Sequence, residues 1–143
     1  MVTALLDTAC ESPKARAFPG RPTRVLIADD DSDTLLSLGL LLQTESFDVK
    51  LVLNGRPVRD VVTYFQPDVV LLDIGMPDRT GYNVAQELRA YYGDKCPVLI
   101  ALTARASAAD KQQSKACGFD YHITKPYEPA DLLRFLCSLK KRT

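Results

Sequence analysis

From Val25 onward, five short apolar runs punctuate the chain: VLIA (25–28), VKLVL (49–53), VVLLD (69–73), VLIAL (98–102) and YHIT (121–124). Several are continuous rather than alternating, which is the pattern of strands covered on both faces. Between them the apolar spacing lengthens to a helical period. In DTLLSLGLLLQ, Leu35, Leu38 and Leu42 share one face. Val84, Leu88 and Tyr91 line up in YNVAQELRAYY, and Leu132, Leu136 and Leu139 do so in EPADLLRFLCSLKK. The last of these ends in Lys and Arg, which suit a helix C-terminus. In RPVRDVVTYF, Pro57 sits where a first helical turn tolerates it. SAADKQQSKACG opens on Ser107 with Asp110 three residues on, and closes on Gly118. These are start and stop signals. Its apolar face holds only Ala and Cys, so it is expected to be the least firmly packed helix.

Five strand–helix repeats predict an α/β fold, a (βα)5 chain with a parallel sheet and right-handed crossovers. In such sheets ligands bind beyond the carboxyl ends of the strands. The informative residues are therefore those that end or follow each apolar run: Asp29 and Asp30, Asp73, Thr103 and Lys125. Three carboxylates, a hydroxyl and an ammonium are expected to converge on one edge.

Composition narrows the setting. The 143 residues suit one compact domain, with 46% apolar and 25% charged residues, as in globular chains. Formal net charge is zero, so nothing suggests a chain-wide grip on nucleic acid or anionic lipid. No apolar run approaches a membrane span, and the N-terminus lacks the basic region of a secretory signal. Residues 1–22, with three prolines and scattered charge toward their end, read as a flexible lead-in or linker before a domain at 23–143. Cys10, Cys96, Cys117 and Cys137 show neither CxxC pairing nor zinc spacing, and are expected to be free thiols in a cytoplasmic protein.

Asp29, Asp30, Asp31 and Asp33 occupy four of five consecutive positions. Carboxylates this close repel; two unit charges about 4 Å apart cost roughly 4 kcal/mol at an effective dielectric near 20. A calcium loop starting at Asp29 fails, because Thr34 replaces the glycine and Leu40 the closing glutamate. An aspartyl-phosphatase start of the form D-x-D-x-[TV] also fails, since Asp33 or Leu35 falls at its fifth position. Helix capping accounts for Asp31 and Asp33, but not for Asp29 and Asp30 together with Asp73 and Lys125. An Mg²⁺ site shared with a phosphoaccepting carboxylate on another strand fits better. Mg²⁺ takes one or two carboxylates plus phosphate oxygens and offsets their repulsion.

At this point the chain resembles the receiver domain of two-component response regulators, over about residues 23–140. Asp29 and Asp30 follow the first strand. VVLLDIGMPDRTG carries Asp73 with Pro77 four and Gly81 eight residues on. Thr103 in LTA lies thirty residues after Asp73, and Lys125 in KP fifty-two after it. The resemblance implies a doubly wound, flavodoxin-like sheet of five parallel strands in the order 2-1-3-4-5, as in chemotaxis regulators. It implies that Asp73 takes a phosphoryl group from phosphohistidine on a sensor histidine kinase or histidine phosphotransfer protein. Mg²⁺ is implied as cofactor, held by Asp30 directly, by Asp29 mainly through water, by Asp73 and by the Gly75 backbone carbonyl. Lys125 pairs with a phosphoryl oxygen, Thr103 donates its hydroxyl, and Lys125–Pro126 is cis. His122 occupies a switch position that usually holds an aromatic, and it is the sole histidine of the chain. An imidazole there adds pH sensitivity to the switch. Gly75 and Arg105 occupy positions that tune phosphoryl lifetime, and slow dephosphorylation is expected.

Only 18 residues follow Lys125. The expected output is therefore protein–protein contact through residues 104–139, without nucleic acid or membrane, and with a homodimer possible by analogy. The runner-up is a receiver excised from a hybrid sensor kinase. A phosphate-independent interaction module and a true Mg²⁺ phosphohydrolase stand further off. The complete acidic, threonine and lysine set opposes the first, and the lack of a separate acid or base near Asp73 opposes the second.

Overall fold

A computed structural model describes residues 21–77, 79–104 and 107–142. Of the expected lead-in, only Arg21 and Pro22 fall within them. Five strands, β1 (Arg24–Ala28), β2 (Asp48–Val52), β3 (Val69–Asp73), β4 (Val98–Thr103) and β5 (Tyr121–Thr124), alternate with α1 (Ser32–Thr44), α2 (Val58–Phe65), α3 (Gly81–Tyr92), α4 (Ala108–Ala116) and α5 (Pro129–Arg142). All strand pairings are parallel, in the order β2-β1-β3-β4-β5.

The alternation of side chains along each strand divides the core in two. Val25, Ile27, Leu71 and Ile100 pack with Leu35, Leu38 and Leu42 of α1 and with Leu132 and Leu136 of α5. Leu26, Ala28, Val70 and Leu72 point the other way, onto Val58, Val61 and Val62 of α2 and Val84, Ala85 and Leu88 of α3. Central β3 is buried along its whole length, whereas the edge strands β2 and β5 are partly exposed. The continuous apolar runs are thus the inner strands.

Local signals set the helix ends. The Asp31 side chain accepts from the Asp33 N–H and caps α1. Ser107 and Asp110 form a reciprocal capping box on α4. Such caps contribute about 1 kcal/mol each. Gly118, just past α4, has φ +110°, a conformation few other residues adopt. As expected, α4 is weakly packed: Ser114 is its one buried residue.

Two expectations fail. Tyr91 does not join the Val84–Leu88 face; it is 61% exposed, while Ala85 is buried in its place. The helix buries the 84, 85, 88 stripe, and Tyr91 instead meets the Tyr92 ring edge-on and the Arg59 guanidinium. The thiols are not all free either. Cys96 and Cys117 are, but Cys137 is disulfide-bonded, a pairing that isolated cysteines do not reveal in sequence. Cys10 lies outside the described residues. No helix among the described residues is long and apolar enough to cross a membrane.

Candidate functional site

The carboxyl edge of the sheet gathers the side chains that follow β1, β3, β4 and β5. Asp29 follows β1 directly; its N–H bonds the Val52 carbonyl at 3.1 Å, and its residue is wholly buried. Adjacent residues on an extended chain point to opposite sides, so Asp30 is left exposed. Asp73 closes β3 and is 7% exposed. Carboxylate oxygens of Asp29, Asp30 and Asp73 lie within 4.8 Å of one another.

Lys125 bridges the two buried acids. Its Nζ stands 3.1 Å from Asp29 Oδ2 and 3.3 Å from Asp73 Oδ1. The Lys125 N–H donates to the Thr103 carbonyl at 2.7 Å, which ties the β5–α5 loop to the end of β4. The Lys125–Pro126 peptide bond is cis, and Thr103 is 4% exposed. Asp29 Oδ1 accepts the Asp31 N–H at 3.0 Å, and Asp73 Oδ1 accepts the Gly75 N–H at 3.3 Å.

Electrostatics follow from this packing. Burial, reinforced by the Asp29 charge and a hydrogen bond with Asp30, pushes the Asp73 carboxyl up to about 6; Lys125 and the Gly75 N–H act against that rise. Burial alone lowers the basicity of Lys125, but its hydrogen bond to Asp29 and the charges of Asp29 and Asp73 outweigh it, and the ammonium is held above its ordinary value. Asp31 is lowered, chiefly by the Thr34 hydroxyl. It belongs to the helix cap rather than to the cluster.

Three all-oxygen donors, one of them open to solvent, form a hard-cation donor set. One ammonium faces two buried carboxylates, which leaves uncompensated negative charge for a divalent ion to offset. The residues present therefore fit Mg²⁺.

Residues around the acids fix their positions. A Cβ at Gly81 would lie 2.8 Å from the Asp73 carbonyl oxygen, and the Gly81 N–H bonds the Ile74 carbonyl at 3.1 Å. The backbone after Asp73 folds back this tightly because position 81 has no side chain. At Gly75 the nearest obstacle to a Cβ is Asp73 Oδ1 at 4.0 Å, so the space above the acid is open. Arg105 lies outside the described residues. His122 is partly buried on β5, with Nδ1 3.1 Å from the Ser114 hydroxyl of α4. That partner was not anticipated, although Ser114 lies two residues before Ala116 and three before Cys117 of the predicted face. An open groove of about 820 Å³ adjoins the cluster, with Thr34, Leu38 and Leu41 on one wall and Lys125, Pro126 and Tyr127 on the other.

The chain is similar in sequence and in fold to known proteins. The model of the response regulator receiver domain family matches residues 25–136. Response regulator MprA of Mycolicibacterium vanbaalenii is 35% identical over 122 residues, which is 85% of this chain and 52% of that protein. Transcriptional regulatory protein PrrA of Mycobacterium tuberculosis is 35% identical over 137 residues, 96% of this chain and 54% of the relative. The chain thus spans about half the length of the curated relatives it matches. Among solved structures, a CheY-like receiver domain protein from Methanospirillum hungatei superposes with a TM-score of 0.76 at 26% identity, covering 84% of this chain and 94% of the other. The BeF3-activated receiver domain of RstA from Klebsiella pneumoniae gives 0.75 at 25% identity, covering 83% and 99%.

Proposed function

From the premise that the chain belongs to the response regulator receiver domain family, we propose that it is a phosphoacceptor, with Asp73 as the accepting residue. The observation that carries this reading is the bridging of two buried acids, Asp29 and Asp73, by one ammonium, that of Lys125. An Asp73 oxygen attacks phosphorus as the P–N bond of a phosphohistidine breaks. The electron pair leaves with the imidazole nitrogen, which takes up a proton, and the product is an acyl phosphate. Asp30, Asp73 and the Gly75 carbonyl would hold Mg²⁺ directly and Asp29 mainly through water, and the ion would supply neutralising charge to the transferring group. Lys125 gives up its Asp73 contact to pair with a phosphoryl oxygen, while Asp29 keeps the ammonium in place. Thr103 donates its hydroxyl to the phosphoryl group and draws the end of β4 toward it. Pro126 fixes the turn that carries Lys125.

The donor is a sensor histidine kinase or a histidine phosphotransfer protein. The groove beside Lys125 gives its imidazole an approach, and Leu36 and Leu40 of α1, 63% and 64% exposed, offer apolar contact to its helices. Output runs through residues 104–139, with His122 and Thr103 as the switch pair, by protein contact or self-association in the cytoplasm. The proposal of no nucleic-acid contact concerns this domain alone, since PrrA is named a transcriptional regulator. The relatives reported are regulators, which does not favour origin in a hybrid kinase. Gly75 offers no side chain to orient water, and with Arg105 it is assigned the tuning of a slow dephosphorylation.

Intact mass spectrometry after incubation with acetyl phosphate and Mg²⁺ tests the reading. One added phosphoryl group is expected, absent without Mg²⁺ and absent in Asp73→Ala. An adduct that persists in Asp73→Ala contradicts the assignment.

A further inference from the structure

Between α4 and the exposed edge strand β5 lies a cleft of about 340 Å³, lined by Lys111, Ser114, Lys115, Asp120 and His122 among others. β5 is an edge strand of the sheet, so no strand pairs with its side away from β4. The charges of the cleft are unbalanced. Arg21, Arg24, Arg59, Arg79, Arg89, Arg134 and Lys125 all stand in ion pairs. Lys111 and Lys115 are exposed and pair with no carboxylate among the described residues. The nearby acids are already engaged. Asp110 closes the α4 capping box with Ser107. Asp120 accepts from Arg89 at 2.7 Å and from the Leu99 N–H at 2.9 Å. At the floor, the 1%-exposed Ser114 hydroxyl meets His122 Nδ1.

We propose that this cleft docks an extended acidic segment of a partner protein, of the pattern acidic-x-acidic, laid along β5. Spacing supports the pattern. Lys111 and Lys115 are four apart on a helix, about 5–6 Å between Cβ atoms. Side chains two apart on an extended chain project from one face about 6.5–7 Å apart, so two successive same-face carboxylates reach the two ammonium groups. The open edge of β5 supplies backbone partners to the same segment. The inference deepens the assignment of residues 104–139 as the output surface and rests on it. The chemistry of the occupant is what it adds.

The test is an NMR titration of the ¹⁵N-labelled chain with the octapeptide (Glu-Thr)₄, with (Lys-Thr)₄ and inorganic phosphate as controls. The expected result is a saturable shift at Lys111, Ser114, Lys115 and His122 with (Glu-Thr)₄ alone. Affinity is expected to fall at least tenfold in Lys111→Glu/Lys115→Glu and in the milder Lys111→Gln/Lys115→Gln. Equal shifts with phosphate, shifts that survive both double variants, or no saturable shift at all overturn the proposal. Acetyl phosphate treatment of the same samples separates the two assignments. An Asp73 adduct without peptide binding removes only the acidic-segment inference. Peptide binding without an adduct supports the cleft and removes the phosphoacceptor assignment.

Discussion

Asp73 is held in an environment that disfavours its charged form. Its carboxyl stands at about 6 against an ordinary 3.8, so between those values the folded chain binds a proton that the unfolded chain has released. The metal-free protein therefore loses stability from this group as pH rises from about 4 to above 6, by up to about 3 kcal/mol at 1.36 kcal/mol per unit. Asp73→Asn removes that burden while leaving Lys125 its Asp29 partner. It is expected to stabilise the metal-free protein at neutral pH by about 1–3 kcal/mol, and much less near pH 4, read from urea unfolding at the two pH values. Destabilisation at pH 7 contradicts this account of the site. Gly75 is the second residue-scale test. Because nothing nearer than 4.0 Å meets a Cβ there, Gly75→Asn is accommodated and brings a water-orienting amide over the acid. Loss of the adduct is expected to quicken by roughly threefold or more, measured as adduct half-life by intact mass. The identities of these residues were legible from strand ends and spacing. Their environments were not, because Asp29 and Asp30 are neighbours in sequence and differ in burial only through the side to which the backbone turns them.

At the scale of elements, strands were read more surely than helix faces. β3 and β5 match their apolar runs residue for residue, whereas β1, β2 and β4 each take in one polar residue at a boundary beyond the run: Arg24, Asp48 and Thr103. The face of α3 was misread at Tyr91, since a large ring satisfies either a core position or a stack on Arg59 and Tyr92, and periodicity does not separate the two. The weak packing of α4 was legible in its small side chains, but its polar contact with β5 through Ser114 and His122 was not. With a single buried residue, α4 is expected to show amide exchange at least tenfold faster than the Val84–Leu88 segment of α3, which is anchored in the core. Equal protection in hydrogen-exchange NMR contradicts the packing described. The turn between β3 and α3 makes the opposite case. Gly81→Ala puts a methyl 2.8 Å from the Asp73 carbonyl and is expected to cost about 1–3 kcal/mol of stability. It also displaces the acid, so that adduct formation slows along with the loss of stability.

On the scale of the whole molecule, the sheet separates two apolar cores and gathers Asp29, Asp30, Asp73 and Lys125 along its carboxyl edge. The five acidic, hydroxyl and ammonium residues come from four strand ends, so they converge only once the 2-1-3-4-5 order is set. That order places β1 beside β3 and β4 beside β5, and Lys125 then reaches back to both buried acids. On the proposed reading, a phosphoryl group at Asp73 bears first on Lys125, which contacts that carboxylate and whose N–H bonds the Thr103 carbonyl at the end of β4. The central claim is that Asp73 forms the acyl phosphate. Its most direct measurement is borohydride reduction of the acetyl phosphate-treated, Mg²⁺-loaded protein, followed by peptide mass sequencing, since hydride converts an aspartyl phosphate to homoserine. The account predicts homoserine at position 73 and at no other aspartate. Homoserine at Asp29 or Asp30, or a phosphoryl group on a hydroxyl or imidazole that borohydride leaves intact, would contradict it.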